Sequence, residues 1–288
     1  MQFFRRPFKD RTLADIPTDA WIHEGGNGEN LGKKPKLSVD PVPYDFYIEV
    51  QKGNVPGHSI VSVNAENQAA STTSEDLSFA GLTLIYPVSA ESLELVSENV
   101  NDTAGGSGCT EVTIRYLDTS YTEQQVTVAT NGGTITTGIT DFFRPIGSGL
   151  IASAWGATLE NEGNIQLRIS GGGNLMLTMP AGDNKSLDCY LSIPAGKIGF
   201  FVYVFSSVSK NNDAAFKFKT RLENGGFLTI FNLSNVSASS EISLPVSSQQ
   251  IPAKTDIKIT LVSSNNSHAS VAYQVLLVDE DLVNQGSI

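Results

Sequence analysis

Short apolar segments recur every 8–12 residues along most of this 288-residue chain, each closed by Gly, Asn, Pro or Asp, with no helical period. Such a chain reverses too often for long helices and pairs its segments as antiparallel strands. Glu111–Leu117 alternates Val112, Ile114 and Tyr116 against Thr113 and Arg115, and Gln125–Thr130 returns after Asp118-Thr119-Ser120. Gly171-Gly172-Gly173-Asn174 joins Gly163–Ile169 to Leu175–Met179, and Asn224-Gly225 joins Ala215–Leu222 to Phe227–Leu233. Strands are also predicted at Tyr44–Val50, Ile60–Val63, Leu82–Val88, Thr134–Thr137, Ile146–Trp155, Leu187–Ile193, Phe200–Phe205, Ile242–Val246, Ile257–Leu261 and Ser270–Val278, and a short helical turn at Asp141–Arg144. Phe200–Phe205, almost continuously apolar, reads as a central buried strand.

This pattern predicts an all-β chain of two β-sandwich or jelly-roll-like domains, residues 43–160 and 161–288, behind an extended arm, residues 1–42. The 17% of charged residues is below the usual quarter, so Ser, Thr, Asn and Gln must coat the strands. No run approaches about 18 uninterrupted apolar residues, the length of a membrane-spanning helix.

The net charge of −11 is uneven: residues 1–40 carry 7 basic and 6 acidic groups, and the remainder carries 12 and 24. An acidic body repels nucleic acid and anionic membranes, so neither is expected as a partner. The arm sets Phe3, Phe4, Phe8 and Trp21 among Arg5, Arg6 and Arg11, with prolines at 7, 17, 35 and 41. It cannot build a core, but spaced aromatics on irregular backbone suit an arm that lies in grooves of another protein. Those seven aromatic and Arg residues are the predicted partner-binding set.

Catalytic groups are scarce. His23, His58 and His268 fall in the arm or in turns and read as solvated. No Gly-x-Ser-x-Gly elbow, phosphate loop or dinucleotide fingerprint occurs, and no Cys or His stands at zinc-ligand spacing. Oxygen-rich loops at Asp183-Asn184 and Asn211-Asn212-Asp213 match no calcium motif, so neither metal nor cofactor is expected. Glu91, Glu94 and Glu98 and the Asp279–Asp281 group read as solvated faces. Trp155, Phe142 and Phe143 could stack on a sugar but read as core filling. The first 11 residues hold charge without an apolar stretch behind it, which predicts no secretory signal, and Cys109 and Cys189 are expected as free thiols.

Five segments, in order, resemble a group of tailed-bacteriophage virion structural proteins: Gln51–Val61 (with Gly-x-Val-Pro-Gly-His-Ser), Val96–Leu117 (an acidic stretch, the Asp102–Gly108 loop Asp-Thr-Ala-Gly-Gly-Ser-Gly and a following strand), Asn164-Ile165, Tyr190–Gly199 (around Ile-Pro-Ala-Gly-Lys) and Lys254–Ile257 (Lys-Thr-Asp-Ile). The resemblance spans about residues 45–282 and leaves the arm unmatched. It implies a β-rich, non-enzymatic component of the virion, assembled in the host cytoplasm. It fits a capsid decoration (cement) or minor head protein that binds other virion proteins and forms a homo-oligomer. A tail- or fibre-associated adhesin for a host glycan or receptor is the alternative. A glycan hydrolase would need two facing carboxylates, for which no motif is present.

Overall fold

The computed structural model describes residues 46–79, 81, 83–133, 138–209, 212–223, 225–235, 240–243 and 250–284. Fifteen strands and two short helices lie in these segments: α1 (Phe46–Gln51), β1 (His58–Ala70), β2 (Glu75–Asp76), β3 (Leu93–Ser97), β4 (Cys109–Leu117), β5 (Glu123–Ala129), β6 (Arg144–Trp155), β7 (Ile165–Ile169), β8 (Leu175–Met179), β9 (Leu191–Ser192), β10 (Lys197–Val208), β11 (Ala214–Leu222), β12 (Leu228–Asn235), β13 (Ser240–Ser243), β14 (Thr255–Ser263), β15 (Ser267–Asp279) and α2 (Glu280–Asn284). The chain is all-β, and every ladder between these strands is antiparallel.

The strands form four sheets, ordered β1-β15-β10-β13, β12-β11-β14-β2, β3-β7-β8 and β5-β4-β6, with β9 also pairing β14. Alternation decides which face each strand buries. In β15, Ala269, Val271, Tyr273, Val275 and Leu277 turn inward, while Ser270, Ala272, Gln274 and Leu276 between them are less buried. In β11, Phe216 and Phe218 turn inward to meet them. The first two sheets lock through aromatic rings: Phe218 lies 6.1 Å from Tyr273 and 5.9 Å from Phe201, and stacks on Phe231 at 4.2 Å. Each such ring contributes about 2–3 kcal/mol by burial. One continuous apolar core runs from these sheets through Leu93, Ile114, Ile146, Leu167 and Leu177 in the other two.

Three ladders cross residue 160, where the sequence suggested a boundary: β1 with β15, β2 with β14, and β3 with β7. Most predicted strands are present, including both glycine-marked hairpins, and β10 is central in its sheet but buried on one face only.

Four local expectations are corrected. Phe46–Gln51 is helical; Gly53, with φ of 76°, ends it by donating to the Val50 carbonyl at 2.9 Å, and only Val50 of the apolar set is buried. Residues 83–88 form no strand, although the Leu84 amide donates to Asp76 at 2.9 Å. Asp141–Arg144 forms no helical turn, because Phe142 bridges Glu91 through both of its backbone groups. Leu187–Ile193 shortens to β9, since the Leu187 amide bonds Thr178 while the Cys189 amide bonds Leu77, and no single ladder forms. Residues 134–137 and 244–246, also expected as strand, lie outside the described residues.

Loops are pinned by buried carboxylates. Fully buried Asp102 accepts from the Cys109 and Glu162 amides on one oxygen (2.8 and 2.9 Å) and from Ser97 Oγ and the Gly163 amide on the other (2.6 and 2.9 Å). All four acceptor positions are filled. Gly108 leaves the room this needs, since a Cβ there would lie 2.2 Å from Asp102 Oδ1. Glu94, expected on a solvated face, is buried instead. Burial raises its pKa, but the Gly171 amide, Arg168 and the Gly172 amide outweigh that and hold the carboxyl below its usual range.

Buried Asp188 has no cation partner among the described residues, and burial pushes its pKa up to about 7 against the hydrogen bonds from Thr178 and Phe79. The native state therefore keeps a proton that the unfolded chain releases near pH 4, so this group's contribution to stability falls as pH rises from about 4 to 7, by about 4 kcal/mol. Asp188→Asn should flatten that fall, read as the difference between wild-type and variant denaturation curves across this pH range. Asp102→Asn puts an amide donor where the carboxylate accepts and should cost about 3 kcal/mol at neutral pH in the same assay.

Candidate interaction surface

The segment Ala214–Leu222 reads Ala-Ala-Phe-Lys-Phe-Lys-Thr-Arg-Leu. As β11 points Phe216 and Phe218 into the core, it points Lys217, Lys219 and Arg221 to the opposite face. β14 pairs in register, setting Lys219 opposite Lys258 and Arg221 opposite Asp256. Directly opposed like charges destabilise a ladder. Asp76 of β2 relieves this by pairing with Lys258 at 2.7 Å. Lys219 keeps a pKa below the usual lysine value, mainly through burial and next through Lys258.

Asp256 is fully buried and organises the inner end of this face. Its Oδ1 accepts from Ser192 Oγ at 2.6 Å and Arg144 Nε at 2.9 Å, and its Oδ2 from Arg221 Nε at 3.0 Å. Arg144 enters from β6, donates also to the Phe143 and Pro87 carbonyls, and lies 3.9 Å above the Phe143 ring. The Arg221 guanidinium lies 4.4 Å from the Tyr86 ring centre and 4.7 Å from that of Phe227, and Lys258 Nζ lies 4.6 Å from Phe227. Two guanidiniums share one carboxylate, and the aromatic faces stabilise the excess positive charge. Ser192 and Asp256 stand on β9 and β14, which pair antiparallel.

Lys217 is exposed, and neither it nor Lys219 has an ion-pair partner among the described residues. Leu222 and Leu228 flank this end of the sheet at 56% and 72% exposure. A chain of net charge −11 thus presents a basic strip. Sequence reading passed over Lys217, Lys219, Arg221, Lys258 and Arg144, although three cations alternating with two phenylalanines in six residues was a legible sign of a two-faced strand.

The predicted partner-binding residues Phe3, Phe4, Arg5, Arg6, Phe8, Arg11 and Trp21, and His23, lie outside the described residues. His58 Nδ1 is 2.8 Å from the Pro56 carbonyl, and the ring meets Phe46 edge-on. His268 lies on β15 rather than in a turn and is 3.2 Å from Glu66. Phe142 and Phe143 fill the core as expected, but Trp155 does not. It is 41% exposed, and its indole N–H donates to Asn184 Oδ1 at 2.8 Å, which holds the ring at the surface. Glu98 accepts from Asn164 and Gln166, and Asp279 pairs with Lys197. Cys109 and Cys189 are buried free thiols, and burial raises the pKa of both, that of Cys109 to about 12. Among the described residues no group of three or more His, Cys, Asp or Glu could hold a metal ion.

No family model matches the chain. No curated protein matches it. Seven solved chains match, among them three from infectious bursal disease virus. The Gt strain structure shares 11% identity at a TM-score of 0.19, covering 81% of this chain and 78% of that one. The Gx strain structure shares 12% at 0.20, covering 77% and 72%. The VP2 subviral particle shares 12% at 0.14, covering 83% and 78%. TM-scores this low mark no shared fold.

Proposed function

We propose that this chain is a non-enzymatic structural protein of a phage particle, a capsid decoration or minor head component held by its N-terminal arm. The observation that carries this reading is what the phage-like segments do in the fold. Asp102 in one accepts the amide of Gly163, beside the next at Asn164-Ile165. Asp256 in another accepts from Ser192 in its neighbour. Gly57, in the first, accepts the amide of Asp279 at 2.8 Å. Their carboxylates are held by cations, hydroxyls and backbone amides, which suits a rigid building block. Arm residues Phe3, Phe4, Phe8 and Trp21 would bury apolar area on a neighbouring subunit, and Arg5, Arg6 and Arg11 would pair with its carboxylates. Three or four such anchors contribute about 2 kcal/mol each.

An adhesin is the second reading, favoured by Trp155 held outward by Asn184 with Leu159 exposed nearby. A glycan array probed with wild type and Trp155→Ala separates the two, since only the adhesin predicts a hit that the substitution removes.

Deleting residues 1–25 should leave the denaturation midpoint of the purified protein within a degree or so and reduce its occupancy on particles at least tenfold, measured by gel densitometry of purified virions. Undiminished occupancy overturns the role of the arm. Asp256→Asn leaves buried Arg144 and half-buried Arg221 against a neutral amide and should cost about 3 kcal/mol in a denaturant titration.

A further inference from the structure

A second charged corner complements the basic strip. It lies where α1, the start of β1, the end of β15 and α2 meet: His58 pairs with Val278, the Phe46 ring is 5.7 Å from that of His58, and a Cβ on Gly57 would touch both Leu282 and Asp279. Phe46, Tyr47, Ile48 and Leu282 are each 42–48% exposed there. Glu49 is paired with Lys52 and Asp279 with Lys197, while Glu280 and Asp281 are exposed and have no ion-pair partner among the described residues. One place on the molecule thus combines two uncompensated carboxylates with exposed apolar side chains. The other, on the outer face of β11, carries two ammonium groups, those of Lys217 and Lys219, that have no ion-pair partner among the described residues.

We infer that the basic strip at Lys217 and Lys219 docks the acidic corner at Glu280 and Asp281 of a second copy of this chain. Two features favour this occupant over a nucleic acid. Binding a single strand relies on open aromatic faces for base stacking, whereas Tyr86 and Phe227 are already covered by Arg221 and Lys258. The matching partner, two exposed carboxylates without an ion-pair partner among the described residues, is present on the same chain. Strip and corner are different patches, so repeated docking joins copies head to tail, and such contacts close into rings or extend as filaments. The docking is independent of the proposed place in a phage particle, because the purified chain alone suffices for it.

Sedimentation velocity on the purified full chain at about 100 μM tests it. Self-association is expected near 50 mM salt and should weaken at least tenfold near 500 mM, where exposed charges are screened. The strip variant Lys217→Gln/Lys219→Gln and the corner variant Glu280→Gln/Asp281→Asn should each sediment as monomers. Mixed in equal amounts they should form a heterodimer and stop there, since only one strip and one corner remain intact. That heterodimer also demonstrates that both variants are folded. The single variant Lys217→Gln, at an exposed position, should weaken self-association by a smaller factor. A wild type that is monomeric at both salts, variants that associate like the wild type, or a mixture that stays monomeric each overturns the inference. So does a labelled single-stranded oligonucleotide that binds the wild type but not the strip variant while the wild type remains monomeric.

Discussion

The carboxylate of Asp256 is the interaction on which the joining of the sheets depends. It stands on β14, in the sheet that packs its phenylalanines against β15, and it holds Arg144, which arrives from β6 in another sheet. Ser192 and Arg221 complete its shell. Apolar burial is non-directional and would tolerate several ways of laying one sheet against another. A buried ion that finds its donors in one arrangement only does not. Desolvating these charges is costly, and the cost is offset only when Arg144, Arg221 and Ser192 are all in place.

Asp102 does for the loops what Asp256 does for the sheets. Its four donors come from the end of β3, the start of β4 and the segment before β7. With Glu94 gripping the 171–172 turn, the glycine-rich connections are fixed by carboxylates as well as by ladders. This accounts for a chain so rich in glycine that still closes one continuous core.

The all-β class and most strands were legible because alternation and turn residues are local signals. The Glu111–Leu117 hairpin and the Asn224-Gly225 hairpin needed nothing from elsewhere in the chain. Apart from Phe46–Gln51, whose helix is local, the clearest misjudgements concern groups that bond outside their own segment. Leu187–Ile193 has strand composition, but its amides go to β8 and to Leu77, and Phe142 is claimed by Glu91. Glu94 resembles any solvated glutamate until Arg168, 74 residues on, is placed beside it. The basic strip was hidden by averaging, because a net charge of −11 says nothing about where the few lysines gather.

The ladder between β1 and β15 joins His58 to Val278, so two strands some 220 residues apart in sequence lie side by side in the first sheet. On a ribosome, β1 emerges long before its partner exists. Until β15 is synthesised, the first strand carries an open row of amides and carbonyls beside an apolar face, and the core it belongs to lacks Tyr273, Val275 and Leu277. Folding of this unit therefore waits until β15 has been synthesised and is slowed by the closure of one very long loop. During that interval the nascent chain is at its most prone to pair with the wrong strand, including one from another copy of itself.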